Sequence, residues 1–273
     1  MKERLDIILV KKEIYDDIEI AKRAIMAGNV IVNNIKIDKP GTIIKLDKEP
    51  EIRIKNKAIK YVSRGGLKME KAIKVFKLDF TDAIVLDVGS STGGFTDCAL
   101  KHGAKFVYAT DVGSNQLDWK LRNNPKVKSI ENKHINLLKL SDIDNNNIDF
   151  IMVDVSFISI KNIIDSLKKF MNLKTKLIIL IKPQFEAEKK YIEDGGIVKK
   201  INVHKVILHD IIFACKEKEI FVENLDFSPI TGMKGNIEYI SLFSLEKTNE
   251  RSIDLDNIII LGKNLGGKNE YNY

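Results

Sequence analysis

The chain has 273 residues, 44% of them hydrophobic and 30% charged, a balance that suits one large domain or a small one plus a medium one. No apolar run approaches the roughly 18–20 residues of a membrane span, and the opening MKERLDIILVKKE meets a charge every few positions, unlike a signal peptide. Two cysteines, Cys98 and Cys215, with no CxxC pair and four histidines, speak against a disulfide framework or a metal site and for a reducing, cytoplasmic setting.

Charge is unevenly placed. Residues 1–77 hold 19 Lys and Arg against 11 Asp and Glu, while the remainder holds 26 against 27. That is the pattern of a polyanion-binding module joined to a near-neutral body. A solvated surface in a Lys-rich chain is the plainer alternative.

Leu5, Ile8 and Leu9 fall at helical spacing, as do Ile18, Ala21, Ala24 and Ile25, and Gly28 stops the second helix. VIVNN reads as a strand into a turn. GTIIKL and EIRIKN alternate as strands do. Residues 1–58 are thus expected to form a small α+β domain. With Arg4-Leu5-Asp6 in front and a helix ending AGNVIVNN, the stretch resembles an S4-type RNA-binding domain. The resemblance implies a basic face for structured RNA, with Arg4, Lys11, Lys12, Lys22 and Arg23 as candidate contacts. Where S4 domains commonly carry a Ser-Arg pair before the second helix, this chain has Asp17-Ile18, which removes one expected phosphate contact.

Residues 59–63 read as a linker, and the glycines of SRGGLKMEKAIKVF suit a pivot before an amphipathic helix. A second domain over 64–246 alternates strands (near 83–88, 106–111, 127–130, 149–154 and 176–182) with helices (near 93–102, 115–122, 160–170 and 203–217). EIFVENLDFS and NIEYISLFSL close it as a hairpin. The order predicts an α/β fold with a mostly parallel, Rossmann-like sheet. Residues 247–273 read as a tail.

The first strand of this sheet runs into glycines, AIVLDVGSSTGGFTD, at the end where such sheets bind ligands. Gly89, Gly93 and Gly94 let backbone approach a ligand, and Ser90 and Thr96 add hydroxyls. Asp111 ends the next strand about 20 residues on, placed to grip ribose hydroxyls. G-S-S-T-G-G is not the G-x-G-x-x-G of pyrophosphate cofactors, so an adenosine cofactor without pyrophosphate fits better, and S-adenosylmethionine is the commonest. A merely structural glycine turn is the alternative.

Methyl transfer to a hydroxyl needs an acceptor held in line and a base for its proton. Four ionisable residues sit at or near strand ends: Lys68 in SRGGLKMEKA, Asp154 in DFIMVDVSFIS, Lys182 in LIILIKPQFE and Glu238 in GNIEYISL. Together they resemble the K-D-K-E tetrad of the FtsJ-like ribose methyltransferases. With an S4 domain in front, residues 2–245 resemble the TlyA (hemolysin A) family, through SRGGLK, DVGSSTGGFTD, DVSFIS, LIKPQFE and GNIEY in order. The resemblance implies 2′-O-methylation of cytidine in 16S or 23S ribosomal RNA with S-adenosylmethionine, Lys182 acting as base. It also implies a cofactor site of Asp87, Gly89, Ser90, Gly93, Gly94, Phe95, Thr96, Asp111, Asn136 and Asp154, and RNA contacts from Arg64 and Phe185. Family members often carry a basic residue two positions after that asparagine; here it is Leu138. KPQFEAEKKYIEDGGIVK reads as a mobile loop. Competing readings are a silent RNA-binding protein, a membrane-lysing protein and a nicotinamide oxidoreductase.

Overall fold

The computed structural model describes residues 2–12, 14–15, 17–46, 50–54, 60–247 and 253–267. The chain divides into two compact units between residues 59 and 60. Of the expected linker, residue 59 lies outside the described residues. Residues 60–63 belong to the second unit, where Tyr61 is buried.

In the first unit, β1 (Lys2–Arg4) leads into α1 (Leu5–Lys11) and α2 (Ile18–Met26). Four short strands follow: β2 (Val30–Val32), β3 (Ile35–Ile37), β4 (Ile43–Lys45) and β5 (Ile52–Ile54). β1 pairs with β4, and β2 is central in an antiparallel sheet of order β3-β2-β5. Asn33 and Asn34 both take positive φ in the β2–β3 turn, which asparagine tolerates better than most residues. Leu5, Leu9, Ile25 and Val30 are buried in one cluster. Asp17 caps α2 by accepting from the N–H groups of Glu19 (2.7 Å) and Ile20 (3.2 Å). Its carboxylate therefore occupies the helix end that could otherwise face a phosphate.

The second unit opens with α3 (Gly65–Phe76), β6 (Ile84–Val88), α4 (Gly94–Lys101), β7 (Phe106–Thr110), α5 (Trp119–Arg122) and β8 (Val127–Ile130). It continues with β9 (Phe150–Val153), α6 (Ile164–Lys168), β10 (Lys176–Ile181), α7 (Pro183–Glu186), α8 (Ile201–Lys216), β11 (Phe221–Phe227), β12 (Tyr239–Ser244) and α9 (Leu255–Gly267). Its sheet has the order β11-β12-β10-β9-β6-β7-β8, with β12 antiparallel to both β10 and β11 and every other pair parallel. Alternate residues of each strand serve opposite faces. Leu86, Ile151 and Ile179 join one buried cluster, and Val85, Met152 and Ile178 join another. Burial on both faces explains the continuous apolar runs of these strands. The chain reverses direction of travel across the sheet beside β6, so the ends of β6 and β9 form the switch point at which open α/β sheets place their ligands.

Three expectations change. The stretch read as a tail carries α9, in which Leu255 and Ile259 are buried; residues 248–252 and 268–273 lie outside the described residues. The loop at 182–199 holds α7, a 3-10 turn at Lys189–Tyr191 and a bridge between Glu193 and Ile197. Gly65 and Gly66 are no pivot: they form the first turn of α3, and a Cβ on Gly66 would lie 2.2 Å from the Tyr61 ring.

Candidate active site

The structure joins the four sequence-predicted residues as two ion pairs. Lys182 follows β10 and Asp154 follows its parallel neighbour β9; Lys182 Nζ lies 2.5 Å from Asp154 Oδ1 and donates to Ser156 Oγ at 2.9 Å. Lys68, on the first turns of α3, pairs with Glu238 Oε2. Because Ile181 stands opposite Tyr239 in the β10–β12 ladder, Lys182 and Glu238 are the next residues beyond that pairing. Lys68, Lys182 and Glu238 are all buried. Buried charges of this kind need close partners to offset desolvation, and each lysine has a carboxylate. Pro183 sets the turn after Lys182 at the first position of α7, where a missing N–H costs nothing.

Beside these pairs lies the glycine-rich turn between β6 and α4. Gly89 (φ +80°) could not carry a side chain, since a Cβ would lie 2.7 Å from the carbonyl oxygen of Asp154. The turn thus abuts the backbone of a tetrad residue. Asp111, at the end of β7, accepts from Ser91 N–H (2.8 Å) and Gly113 N–H (2.7 Å), so it orders the turn. Ser90 is buried. Asp87 is fully buried; Thr96 donates to its Oδ2 at 2.6 Å, and its Oδ1 has no partner among the described residues. Burial pushes the Asp87 carboxyl up to about 7, Thr96 opposes this, and the charges of Asp154 and Asp111 add to it.

Several residues expected at the cofactor also make contacts within the protein. Where Gly93 and Gly94 would leave room, protein fills it: a Cβ on Gly93 would meet Leu121 at 2.3 Å, and one on Gly94 would meet Ser63 Oγ at 2.3 Å. Phe95 packs into the interior cluster with Tyr61 and Met69, and the Thr96 hydroxyl is taken by Asp87. Asn136 is exposed, and its Oδ1 accepts from Ser166 Oγ on α6 at 2.8 Å. Two residues on, Leu138 is buried in the core.

The expected RNA contacts divide similarly. Arg4 grips the buried Asp6 through Nε (3.0 Å) and a terminal nitrogen (2.6 Å). Lys11 pairs with Glu3, and Lys22 with Glu19 at 2.7 Å. Lys12 and Arg23 are exposed. Arg64 precedes α3 and is half-buried. Phe185, on α7, lies 5.0 Å from the ring of Phe157, which the sequence reading missed. Phe157 is 91% exposed, has φ +64° and follows Ser156, the acceptor of the Lys182 hydrogen bond. Its only trace in the sequence is an aromatic residue directly after a strand-ending Asp-Val-Ser.

An S4 domain model matches residues 3–49, and a model described as FtsJ-like methyltransferase matches residues 61–245. A Bacillus subtilis (strain 168) protein named as a candidate rRNA methyltransferase, YqxC, is 44% identical over 88% of this chain and 84% of its own. A Mycobacterium tuberculosis (strain H37Rv) protein named 16S/23S rRNA (cytidine-2′-O)-methyltransferase TlyA is 31% identical, over 87% and 88% respectively. A solved structure named as a candidate hemolysin from Streptococcus thermophilus is 40% identical, covers 98% of each chain and has a TM-score of 0.74. With the sheet, the glycine turn and the paired lysines already in view, these matches establish that the chain belongs to the FtsJ-like methyltransferase family and carries an S4 domain ahead of that fold.

Proposed function

We propose that this chain methylates the 2′-hydroxyl of cytidine in 16S or 23S ribosomal RNA, using S-adenosylmethionine, in a cytoplasmic setting. The observation that carries this reading is the meeting of Lys182–Asp154 and Lys68–Glu238 at neighbouring strand ends, beside the glycine turn. The cofactor reading has its own support. Asp87, Asp111 and Asp154 are close enough for the latter two to raise the first, and Asp87 Oδ1 is buried without a partner. A concentration of carboxylate charge suits a cationic cofactor and opposes a pyrophosphate.

S-adenosylmethionine supplies a methyl group on a positively charged sulfur. Asp111 and the Gly89–Ser91 backbone would hold its nucleoside and amino-acid ends. As the uncharged amine, Lys182 Nζ would take the proton of the 2′-hydroxyl while the hydroxyl oxygen bonds to the methyl in line and the carbon–sulfur bond breaks, releasing neutral S-adenosylhomocysteine. Asp154 then stabilises the ammonium formed, and Ser156 fixes where Nζ points. Lys68 and Glu238 supply a second, internally neutral pair, so the tetrad carries one negative charge while Lys182 is an uncharged amine and none once it holds the proton. Phe157 and Phe185 offer ring faces on which a splayed base can stack. For the membrane-lysing alternative, no helix among the described residues is long and apolar enough to cross a membrane.

The test is incubation of the protein with labelled S-adenosylmethionine and unmethylated 30S and 50S particles, followed by nucleoside mass spectrometry. Label in 2′-O-methylcytidine is expected. No label in either particle, from protein that binds S-adenosylhomocysteine, would overturn the reading.

A further inference from the structure

Gln184 stands two residues beyond Lys182, on the first turn of α7. Its Nε2 donates to Glu238 Oε1 at 3.3 Å, while Lys68 takes the other oxygen, Oε2. Glu238 thus has each carboxylate oxygen engaged from a different element: α3 on one side, the β10–α7 turn on the other. Among the described residues, Gln184 is the side chain that ties the Lys68–Glu238 pair to the segment bearing Lys182.

The orientation of the Gln184 amide follows from charge. A carboxylate paired with a lysine only accepts hydrogen bonds, so the amide must turn its N–H groups toward Glu238. That leaves Gln184 Oε1 buried with no partner among the described residues. A buried carbonyl without a donor costs stability, and a Met of similar length would avoid that cost. Packing therefore does not account for an amide here; the contact its N–H makes with Glu238 does. Gly232 closes the remaining side, since a Cβ there would lie 2.7 Å from Glu238 Oε1.

We infer that Gln184 is a positioning residue for methyl transfer: it holds the Glu238 carboxylate, and through it the Lys68 amine, in register with Lys182. The inference rests on the proposed function above and adds a fifth member to the set that performs it. Gln184 itself does not exchange a proton. Its effect reaches the reacting atoms through Glu238 and Lys68.

Two variants test it, Gln184→Met and Gln184→Glu, each compared with the wild type for kcat and KM on unmethylated ribosomal particles, S-adenosylhomocysteine binding and thermal midpoint. Gln184→Met is expected to lower kcat by about tenfold to a hundredfold, the scale of a small misplacement of reacting groups. Cofactor binding stays intact and the midpoint is unchanged or higher. Gln184→Glu adds a pH signature. While protonated, its carboxyl donates to Glu238 as the amide does; once ionised, it repels it. Its kcat relative to wild type at the same pH is therefore expected to fall as pH rises, whereas the Met variant shows no such slope. Unchanged kcat in Gln184→Met overturns the inference, as does a parallel loss of midpoint, cofactor binding and activity, which marks a structural role. A wild type that binds the cofactor yet methylates neither particle overturns the function itself and takes this inference with it.

Discussion

Lys182 and Asp154 close adjacent parallel strands and meet 2.5 Å apart, with Ser156 as a second partner of the amine. A lysine so held has its nitrogen aimed rather than free to wander. Lys182→Ala is expected to reduce methyl transfer by about 10²–10⁴-fold, the usual worth of a positioned base. S-adenosylmethionine binding should change only slightly. Single-turnover transfer and calorimetric titration together decide the matter: equal loss of both would assign the lysine to the cofactor or to the fold.

Lys68 and Glu238 answer a different question, because both heads are buried. Lys68→Met strands an anion in the interior and is expected to cost about 3–5 kcal/mol of stability. Lys68→Met combined with Glu238→Leu should recover most of that loss while transfer stays absent. Urea unfolding of the three proteins checks it. A double variant as unstable as the single one would show that charge pairing is not what holds this pair.

Asp87 is expected to make cofactor binding sensitive to pH. Burial raises its carboxyl to about 7, against an ordinary value of 3.8. The folded chain therefore keeps a proton that the unfolded chain has released, and this group's contribution to apoprotein stability declines as pH rises from about 4 through 7. A cationic cofactor favours the ionised carboxylate. S-adenosylmethionine should bind more tightly as pH rises through 7, with proton release, and Asp87→Asn should flatten that dependence. Titration calorimetry in buffers of differing ionisation heat measures the protons directly; a wild type with no proton release near neutrality would sink the idea.

In the S4 domain the arginines part company. Arg4 holds Asp6 with two hydrogen bonds and keeps its carboxyl below the usual range, the hydrogen bonds being the largest cause. Arg4→Ala is expected to lower the thermal midpoint of this domain more than it weakens RNA binding. Arg23 is exposed on α2, and Arg23→Ala should do the reverse, lessening the salt dependence of binding by about one phosphate contact. Melting curves and binding at several salt concentrations separate the two; matching profiles for both variants would refute the distinction.

The central strands β9 and β10 of the larger unit were legible in the sequence because burial on both faces writes continuous apolar runs such as LIILI, each followed by a charged residue. That ending also exposed Asp154 and Lys182 as site residues. Which lysine takes which acid was not legible, since the pairs depend on β9 and β12 flanking β10, a long-range choice that no local spacing encodes. What the glycines make room for was not legible either. Gly66, Gly93 and Gly94 read as space for motion or ligand, whereas the place a side chain would take at each is filled by Tyr61, Leu121 and Ser63 respectively. α9 went unread because IIIL is strand-sized, and only the burial of Leu255 and Ile259 four residues apart reveals its helical face.

Phe157 presents nearly all of its ring to water from a left-handed backbone conformation that bulky residues seldom adopt. Both circumstances cost the free protein: the exposed ring gains nothing from solvent, and a bulky residue at positive φ is disfavoured. The apoprotein is thus loaded against itself at one spot beside Ser156 and Lys182, and a flat ring system laid over that spot would relieve the solvation part of the load. Recognition and reaction would then begin at the same turn of chain, so that a wrong acceptor, unable to cover the ring, would also fail to settle before the amine.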